Sequence, residues 1–208
     1  MLDSKILDRS IIFDWGGVLM QTVDREPRFR WDRRLALPKG SVEAVVHGIE
    51  AWDRVQLGEI GIVEYWEKVR SQLGLSPTLL AELRNDFYSG DRLNEELITL
   101  IKNLRSRGIQ IGLLSNNSLE LRDMLEAMRL DKLFDALVVS AQIGFMKPAP
   151  QAYYIVLEKL KMAPGQALFV DDFQQNIEGA LAVGMSVFHF RSNVELHAYI
   201  ESWLRRHE

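Results

Sequence analysis

Ile11-Ile12-Phe13-Asp14-Trp15-Gly16-Gly17-Val18-Leu19 is the stretch on which the reading of this chain turns. Residues 10–14 are few, β-favouring and apolar on both faces, the pattern of a strand buried inside a parallel sheet. The run delivers one aspartate to the strand's C-terminal tip, and two glycines then turn the backbone away. Ligands of open α/β sheets bind outside the carboxyl ends of the strands, so Asp14 stands where chemistry is expected. Taken alone, it is as readily a cap or a turn residue.

Downstream of residue 91 the chain alternates between helical and strand patterns. Helices are expected over 94–107, 119–128, 150–161, 176–183 and 194–205, and strands over 109–114, 136–139, 167–170 and 186–190. With residues 10–14 this makes five short apolar strands separated by helices, which implies a doubly wound, Rossmann-like α/β fold on a five-stranded parallel sheet. Residues 20–90 differ. They are rich in Arg, Glu and Trp and show helical spacing without strand alternation. Helices are expected over 24–35, over 42–48 with Ser41 as N-cap, over 62–73 with Val63, Trp66, Val69 and Leu73 near one face, and from Pro77 to about residue 88 with Ser76 as N-cap. Ser118 is the expected cap of the helix at 119. The simplest organisation is a core of residues 1–19 and 91–208, interrupted by an all-helical cap of residues 20–90.

Length and composition set limits. The 208 residues suffice for one core plus a smaller insert. The net charge of −4 gives no basic footprint for nucleic acid and disfavours an anionic membrane surface. The absence of cysteine excludes disulfides, thiolate catalysis and Cys-based zinc sites. Residues 1–10 carry no apolar signal-peptide core, and no apolar run approaches the ~18 residues of a membrane span. A cytoplasmic protein is the expectation. Nothing in the sequence reports its oligomeric state.

Four strand ends then present polar groups on one edge of the sheet: Asp14; Ser115-Asn116-Asn117; Lys147 before Pro148; and Asp171-Asp172. Individually, Ser115 and Asn116 read as helix caps and Lys147 as a solvated lysine. Adjacent carboxylates at a strand end repel one another unless a cation lies between them. Together the groups suit phosphate chemistry on a divalent metal. Asp14, Asp172 and a backbone carbonyl are hard oxygen ligands fit for Mg²⁺. Ser115 and Lys147 neutralise phosphoryl oxygens, and Asp14 can then attack phosphorus.

This arrangement resembles the haloacid dehalogenase-like superfamily. The residues that carry the resemblance are Phe13-Asp14-Trp15-Gly16-Gly17-Val18-Leu19, Leu114-Ser115-Asn116-Asn117, Met146-Lys147-Pro148 and Phe169-Val170-Asp171-Asp172 through Asn176-Ile177-Glu178-Gly179-Ala180. They match the superfamily's four motifs in order, and the helical insert looks like its small cap. The last motif, with Arg54-Val55-Gln56-Leu57-Gly58-Glu59-Ile60, is similar to a branch holding glucose-1-phosphatase-like proteins and the N-terminal phosphatase domain of soluble epoxide hydrolase. The resemblance implies Asp14 as nucleophile and metal ligand, Gly16 as a metal ligand through its carbonyl, and Ser115 and Asn116 as substrate-binding. It also implies Lys147 as the charge-neutralising catalytic lysine, Asp172 as the metal-binding acid, and Asp171 as ligand or neighbour of one. It implies Mg²⁺ as cofactor and a small phosphate ester, a sugar phosphate among the options, as substrate.

The chain departs from the pattern at Gly16, where phosphatases of the superfamily usually carry the aspartate that protonates the leaving oxygen. Three readings remain open: a substrate with a better leaving group; an acid supplied by the cap, from Asp24, His47, Glu50 or Asp53; or a poorly active protein that mainly binds. Some members of the resembling branch lack this aspartate and are still phosphatases, which favours activity. A metal-independent 2-haloacid dehalogenase is the alternative enzyme, and the Asp171-Asp172 doublet argues against it. The charged run 24–34 is expected to be a solvated helix rather than a cationic clamp on an anionic ligand, and Trp52, Tyr65 and Trp66 to form cap core rather than to line a sugar pocket. His189, His197 and His207 are read as structural or exposed.

Overall fold

The computed structural model describes residues 8–206; His207 and the first seven residues of the N-terminal reading lie outside them. The strands are β1 (Ser10–Phe13), β2 (Met20–Thr22), β3 (Asp91–Leu93), β4 (Gln110–Ser115), β5 (Ala136–Val139), β6 (Ala167–Asp171) and β7 (Ser186–His189). The helices are α1 (Glu26–Arg34), α2 (Ser41–Gly48), α3 (Glu50–Gln56), α4 (Ile62–Leu73), α5 (Pro77–Phe87), α6 (Glu95–Ser106), α7 (Glu120–Ala127), α8 (Ser140–Ile143), α9 (Pro150–Leu160), α10 (Gln174–Ala182) and α11 (Asn193–Arg205).

Five strands form one parallel sheet in the order β5-β4-β1-β6-β7. β1 is central and wholly buried, with Phe13 in register with Leu113 on one side and Val170 on the other. Its side chains alternate as a pleated strand requires. Ile11 and Phe13 join the cluster under α6, α7 and α11, while Ile12 joins the one under α9 and α10. The chain leaves β1 toward β4 and β5, then crosses back to β6 and β7. Adjacent β1 and β6 therefore send their connections in opposite directions, and the crevice at their carboxyl ends is the switch point where such sheets bind ligands. Asp14 and the Asp171-Asp172 pair flank it.

Helices α1–α5 pack round their own centre of Trp31, Val42, Val46, Tyr65, Leu83 and Phe87. Their connection to the sheet was not legible: β2 and β3 pair antiparallel, Thr22 facing Asp91, as a two-stranded stem. The insert is thus helical between its ends rather than throughout. Ser41 opens α2 as its first residue and caps nothing. Asp32 does that work from the previous helix, accepting from Val42 N at 2.8 Å and Gly40 N at 2.7 Å. Ser118 likewise gives α7 no side-chain cap, whereas Ser76 accepts from Leu79 N at 3.2 Å and caps α5 as expected. Val63 is 71% exposed, and α4 turns Tyr65, Trp66 and Val69 inward instead. α3 went unread because seven residues are too few to display a period.

Candidate active site

Asp14 leaves β1 with its N–H donating to Val170 O at 2.9 Å, which carries the β1–β6 pairing one residue further and fixes the backbone under the carboxylate. Lys147 arrives from the loop after α8. Its buried Nζ lies 2.7 Å from Asp14 Oδ1 and 2.7 Å from Asp171 Oδ2. A buried ammonium is costly unless fully paired, and here two carboxylates meet it. Burial alone would lower the Lys147 pKa, but the two carboxylates outweigh it and hold it above the ordinary value. Burial pushes Asp14 up to about 7; Lys147 opposes that rise and Asp171 adds to it.

The doublet divides its labour. Asp171 is fully buried and accepts from Lys147 Nζ, from Phe173 N at 2.8 Å and from Asn176 Nδ2 at 3.0 and 3.1 Å. Both of its oxygens are engaged, so the geometry makes it the residue that holds Lys147. Asp172 is exposed, and its carboxylate lies against Gly17. A Cβ on Gly17 would sit 2.0 Å from Asp172 Oδ2, and the backbone there has φ +76°, so this position requires glycine twice over. His189 Nε2 donates to Asp172 O at 2.9 Å and steadies the same turn. Desolvation, with Asp171 beside it, raises the Asp172 pKa. Carboxylate oxygens of Asp14, Asp171 and Asp172 lie within 4.8 Å of one another. Three carboxylates against one ammonium is an excess of negative charge that a hard divalent cation fits.

Ser115, the last residue of β4, is buried and lines the cleft beside Asp14. Asn116 clamps the peptide of Lys147: Nδ2 donates to Lys147 O at 2.8 Å and Oδ1 accepts from Lys147 N at 2.8 Å. Its side-chain amide therefore positions the lysine, and the residue also lines the cleft. Gly16 lines the cleft, and a Cβ there would meet nothing within 4 Å.

The cleft, about 1180 Å³, runs from these residues to His47, Trp52, Tyr65, Trp66 and Tyr88 of the insert. Of the four cap acids considered from sequence, only His47 reaches it. Asp24 instead accepts from Glu26 N at 2.8 Å at the start of α1. Burial, then the charge of Arg28, pulls the His47 pKa down to about 4, so its imidazole is neutral near pH 7. Sequence reasoning missed Arg28. It sits in a run read as solvated, yet it is buried and donates to Phe87 O, Glu43 Oε1, Thr22 Oγ1 and Asp91 Oδ1 at 2.6–3.2 Å. Nothing in its local sequence marks it; its partners lie up to 63 residues away.

The sheet thus sets a lysine-paired aspartate at its central strand tip, with two further acids beside it, in the crevice where α/β proteins bind ligands. The model of the haloacid dehalogenase-like hydrolase family matches residues 9–184, and the chain belongs to that family. It is 26% identical over 191 residues to sesquiterpene phosphatase astK of Aspergillus oryzae, covering 89% of this chain and 91% of that one. It is 32% identical over 111 residues to bifunctional epoxide hydrolase 2 of Rattus norvegicus, covering 51% of this chain but only 20% of that one. Its fold matches a HAD family enzyme of Bacteroides thetaiotaomicron, crystallised with magnesium and inorganic phosphate. That match has a TM-score of 0.72 and 20% identity over 89% of this chain and 95% of the other. The chain is a hydrolase of the phosphatase type. Among the described residues no helix is long and apolar enough to cross a membrane.

Proposed function

We propose that this chain is a Mg²⁺-dependent phosphomonoester hydrolase. It acts on a small phosphorylated metabolite, for which a sugar phosphate is one option, through an aspartyl-phosphate on Asp14. The observation that carries this reading is the bridge of Lys147 between Asp14 and Asp171, with Asp172 left open beside it. Asp14, Asp172 and the Gly16 carbonyl would hold the metal, with Asp171 behind them. Bound there, Mg²⁺ would supply Lewis-acid charge to the phosphoryl oxygens.

The chain's own residues do the rest. Lys147 favours the ionised form of Asp14 against its burial and, with the Ser115 hydroxyl, offsets charge on the phosphoryl group. An Asp14 oxygen bonds to phosphorus as the ester P–O bond breaks, and the departing alkoxide takes a proton from water. A second water then attacks phosphorus, the Asp14 O–P bond breaks, and inorganic phosphate leaves with the carboxylate restored. Residues 20–90 serve as a cap that chooses the substrate for the core of residues 1–19 and 91–208. The net charge and lack of cysteine fit a cytoplasmic, small-molecule role.

The test is hydrolysis of a panel of phosphate esters with and without Mg²⁺, alongside Asp14→Asn. Mg²⁺-dependent turnover abolished by the substitution is expected. Metal-independent halide release from 2-haloacids would overturn the proposal in favour of a dehalogenase. Phosphate binding without turnover would leave a binding protein.

A further inference from the structure

We infer that the alcohol portion of the substrate is large and apolar, of ring-system size, rather than a sugar or a short acid; this rests on the phosphomonoesterase reading above. The cap end of the cleft is walled by Trp52, Tyr65, Trp66 and Tyr88, and its catalytic end by Met20 and Met124. Ring centroids of Trp52 and Tyr65 lie 5.5 Å apart and those of Tyr65 and Trp66 5.2 Å apart, so the buried Tyr65 backs Trp52 and Trp66 and holds them in place at the cleft. A sugar is held by convergent hydrogen-bonding groups aimed into the site. Most of the buried polar cap residues on this wall are engaged with one another, while Arg25 and Arg84 stay exposed at its edge. Arg28 gives its fork to Glu43, Asp91 and Thr22. Glu43 also meets Arg25 at 3.5 Å. His47 Nε2 lies 3.4 Å from Tyr88 Oη, and the Arg84 guanidinium lies 5.4 Å from the Trp66 ring centre. The apolar surface left open to a ligand on this side is that of Trp52 and Tyr88, with Met20 and Met124 toward the core, and covering it rewards removal of apolar surface from water.

Among the described residues of the insert and the Gly16 turn, none offers a good proton donor to the cleft. Gly16 offers no side chain, His47 is neutral, and burial pushes Tyr88 up to about 12. Discrimination must therefore come from contact with the alcohol portion, not from chemistry on the leaving oxygen.

Three esters of primary alcohols separate contact from leaving-group basicity: ethyl phosphate, glucose 6-phosphate and 2-(1-naphthyl)ethyl phosphate. With the Mg²⁺-loaded enzyme, kcat/KM for the naphthyl ester should exceed both others by at least about tenfold. Trp52→Ala and Tyr88→Ala should each shrink the naphthyl-to-ethyl ratio. Because a ratio is read on one protein sample, partial misfolding cancels. Equal or better use of glucose 6-phosphate, or a ratio unmoved in both variants, overturns the inference. Calorimetric binding of the naphthyl and glucose esters to Asp14→Asn with Mg²⁺ separates the two levels. If no ester is hydrolysed by the native chain, the hydrolase reading fails. Tighter binding of the naphthyl ester would still uphold the apolar ligand, and no preference in binding would sink it as well.

Discussion

Gly16→Asp is the most informative single change. Gly16 follows the nucleophile by two residues, lines the cleft and is exposed. Its backbone lies outside the left-handed region, unlike that of Gly17, and a Cβ built on it meets nothing within 4 Å. A Cβ can therefore be added without moving a neighbour, and thermal melts distinguish a chemical effect from a structural one. A positioned general acid contributes roughly 10²–10⁴ in rate, or about 3–5 kcal/mol of barrier. The new carboxylate also adds a negative charge to a corner already crowded with three, which offsets part of that gain. The expected net result is a rise of at least about tenfold in kcat for ethyl phosphate, whose alkoxide needs a proton. For 4-nitrophenyl phosphate, whose leaving group needs none, the change should stay within about threefold. Gly16→Asn, nearly the same shape but without a transferable proton, is the control and should give no rise. Stopped phosphate-release assays at saturating Mg²⁺, with thermal melts of each variant, make the measurement. If Gly16→Asp folds and binds Mg²⁺ yet leaves ethyl phosphate turnover unchanged, the missing acid is not what limits this chain.

The acidic doublet predicts two different lesions. Asp171→Asn should lower both the melting temperature and kcat, because it strips Lys147 of a buried partner, at a cost of about 3 kcal/mol or more. Asp172→Asn should leave the melt within about 1 °C and instead raise the Mg²⁺ concentration needed for half-maximal rate; matching melts for the two variants would refute the division. His47 has a folded pKa of about 4 against an ordinary 6.5, so its stabilising effect is complete above pH 6.5 and drains away as pH falls toward 4. Linkage gives a loss of about 2 kcal/mol by pH 5. Because Asp14, pushed up to about 7, changes stability the other way over the same range, the measure is a difference. Between pH 7 and 5, denaturant titrations should show stability changing by about 2 kcal/mol less favourably in the native chain than in His47→Gln. Gly58 has φ +74°, and a Cβ there would lie 2.3 Å from Ala141 O on α8, where the insert touches the core. Gly58→Ala should lower the melting temperature by at least about 2 °C; an unshifted melt would mean that this contact yields freely.

The sheet was legible because its signals are local. Each core strand is a short apolar run ending in a polar or turn residue, and Asp14, Ser115, Lys147 and Asp171-Asp172 mark four of its edges within a few residues. What escaped depends on partners distant in sequence. Asp32 caps α2 by reaching 10 residues forward. Arg28 is buried by Phe87 and Asp91, 59 and 63 residues away. β2 and β3 are three residues each, too short to show alternation, and exist only because the two ends of the insert meet. Asn116, given as substrate-binding by the resemblance, lines the cleft, but the Lys147 peptide that its side chain grips, 31 residues away, could not be read from its own loop. Gly16 and Gly17 look equivalent in sequence; only the Asp172 carboxylate folded over one of them distinguishes the turn from the open position.

Charge at the strand tips ties Gly16 to the cleft above it. Asp14, Asp171 and Asp172 against Lys147 leave two surplus negative charges in a largely buried corner, and the raised pKa of Asp14 reflects that burial together with the repulsion. A divalent cation cancels the surplus, so a phosphate dianion can approach a corner that is neutral overall. A fourth carboxylate at Gly16 would make it negative again, which matters more as water is excluded and charges are less screened. On the proposed function, an apolar substrate body filling the cleft would thin the water over this corner and strengthen the pull of Lys147 and Ser115 on the phosphoryl oxygens. On this account, a residue without a side chain at Gly16 and an apolar wall opposite belong to one design. The site forgoes a proton donor and retains the charge balance that lets an anionic head enter beneath an apolar body.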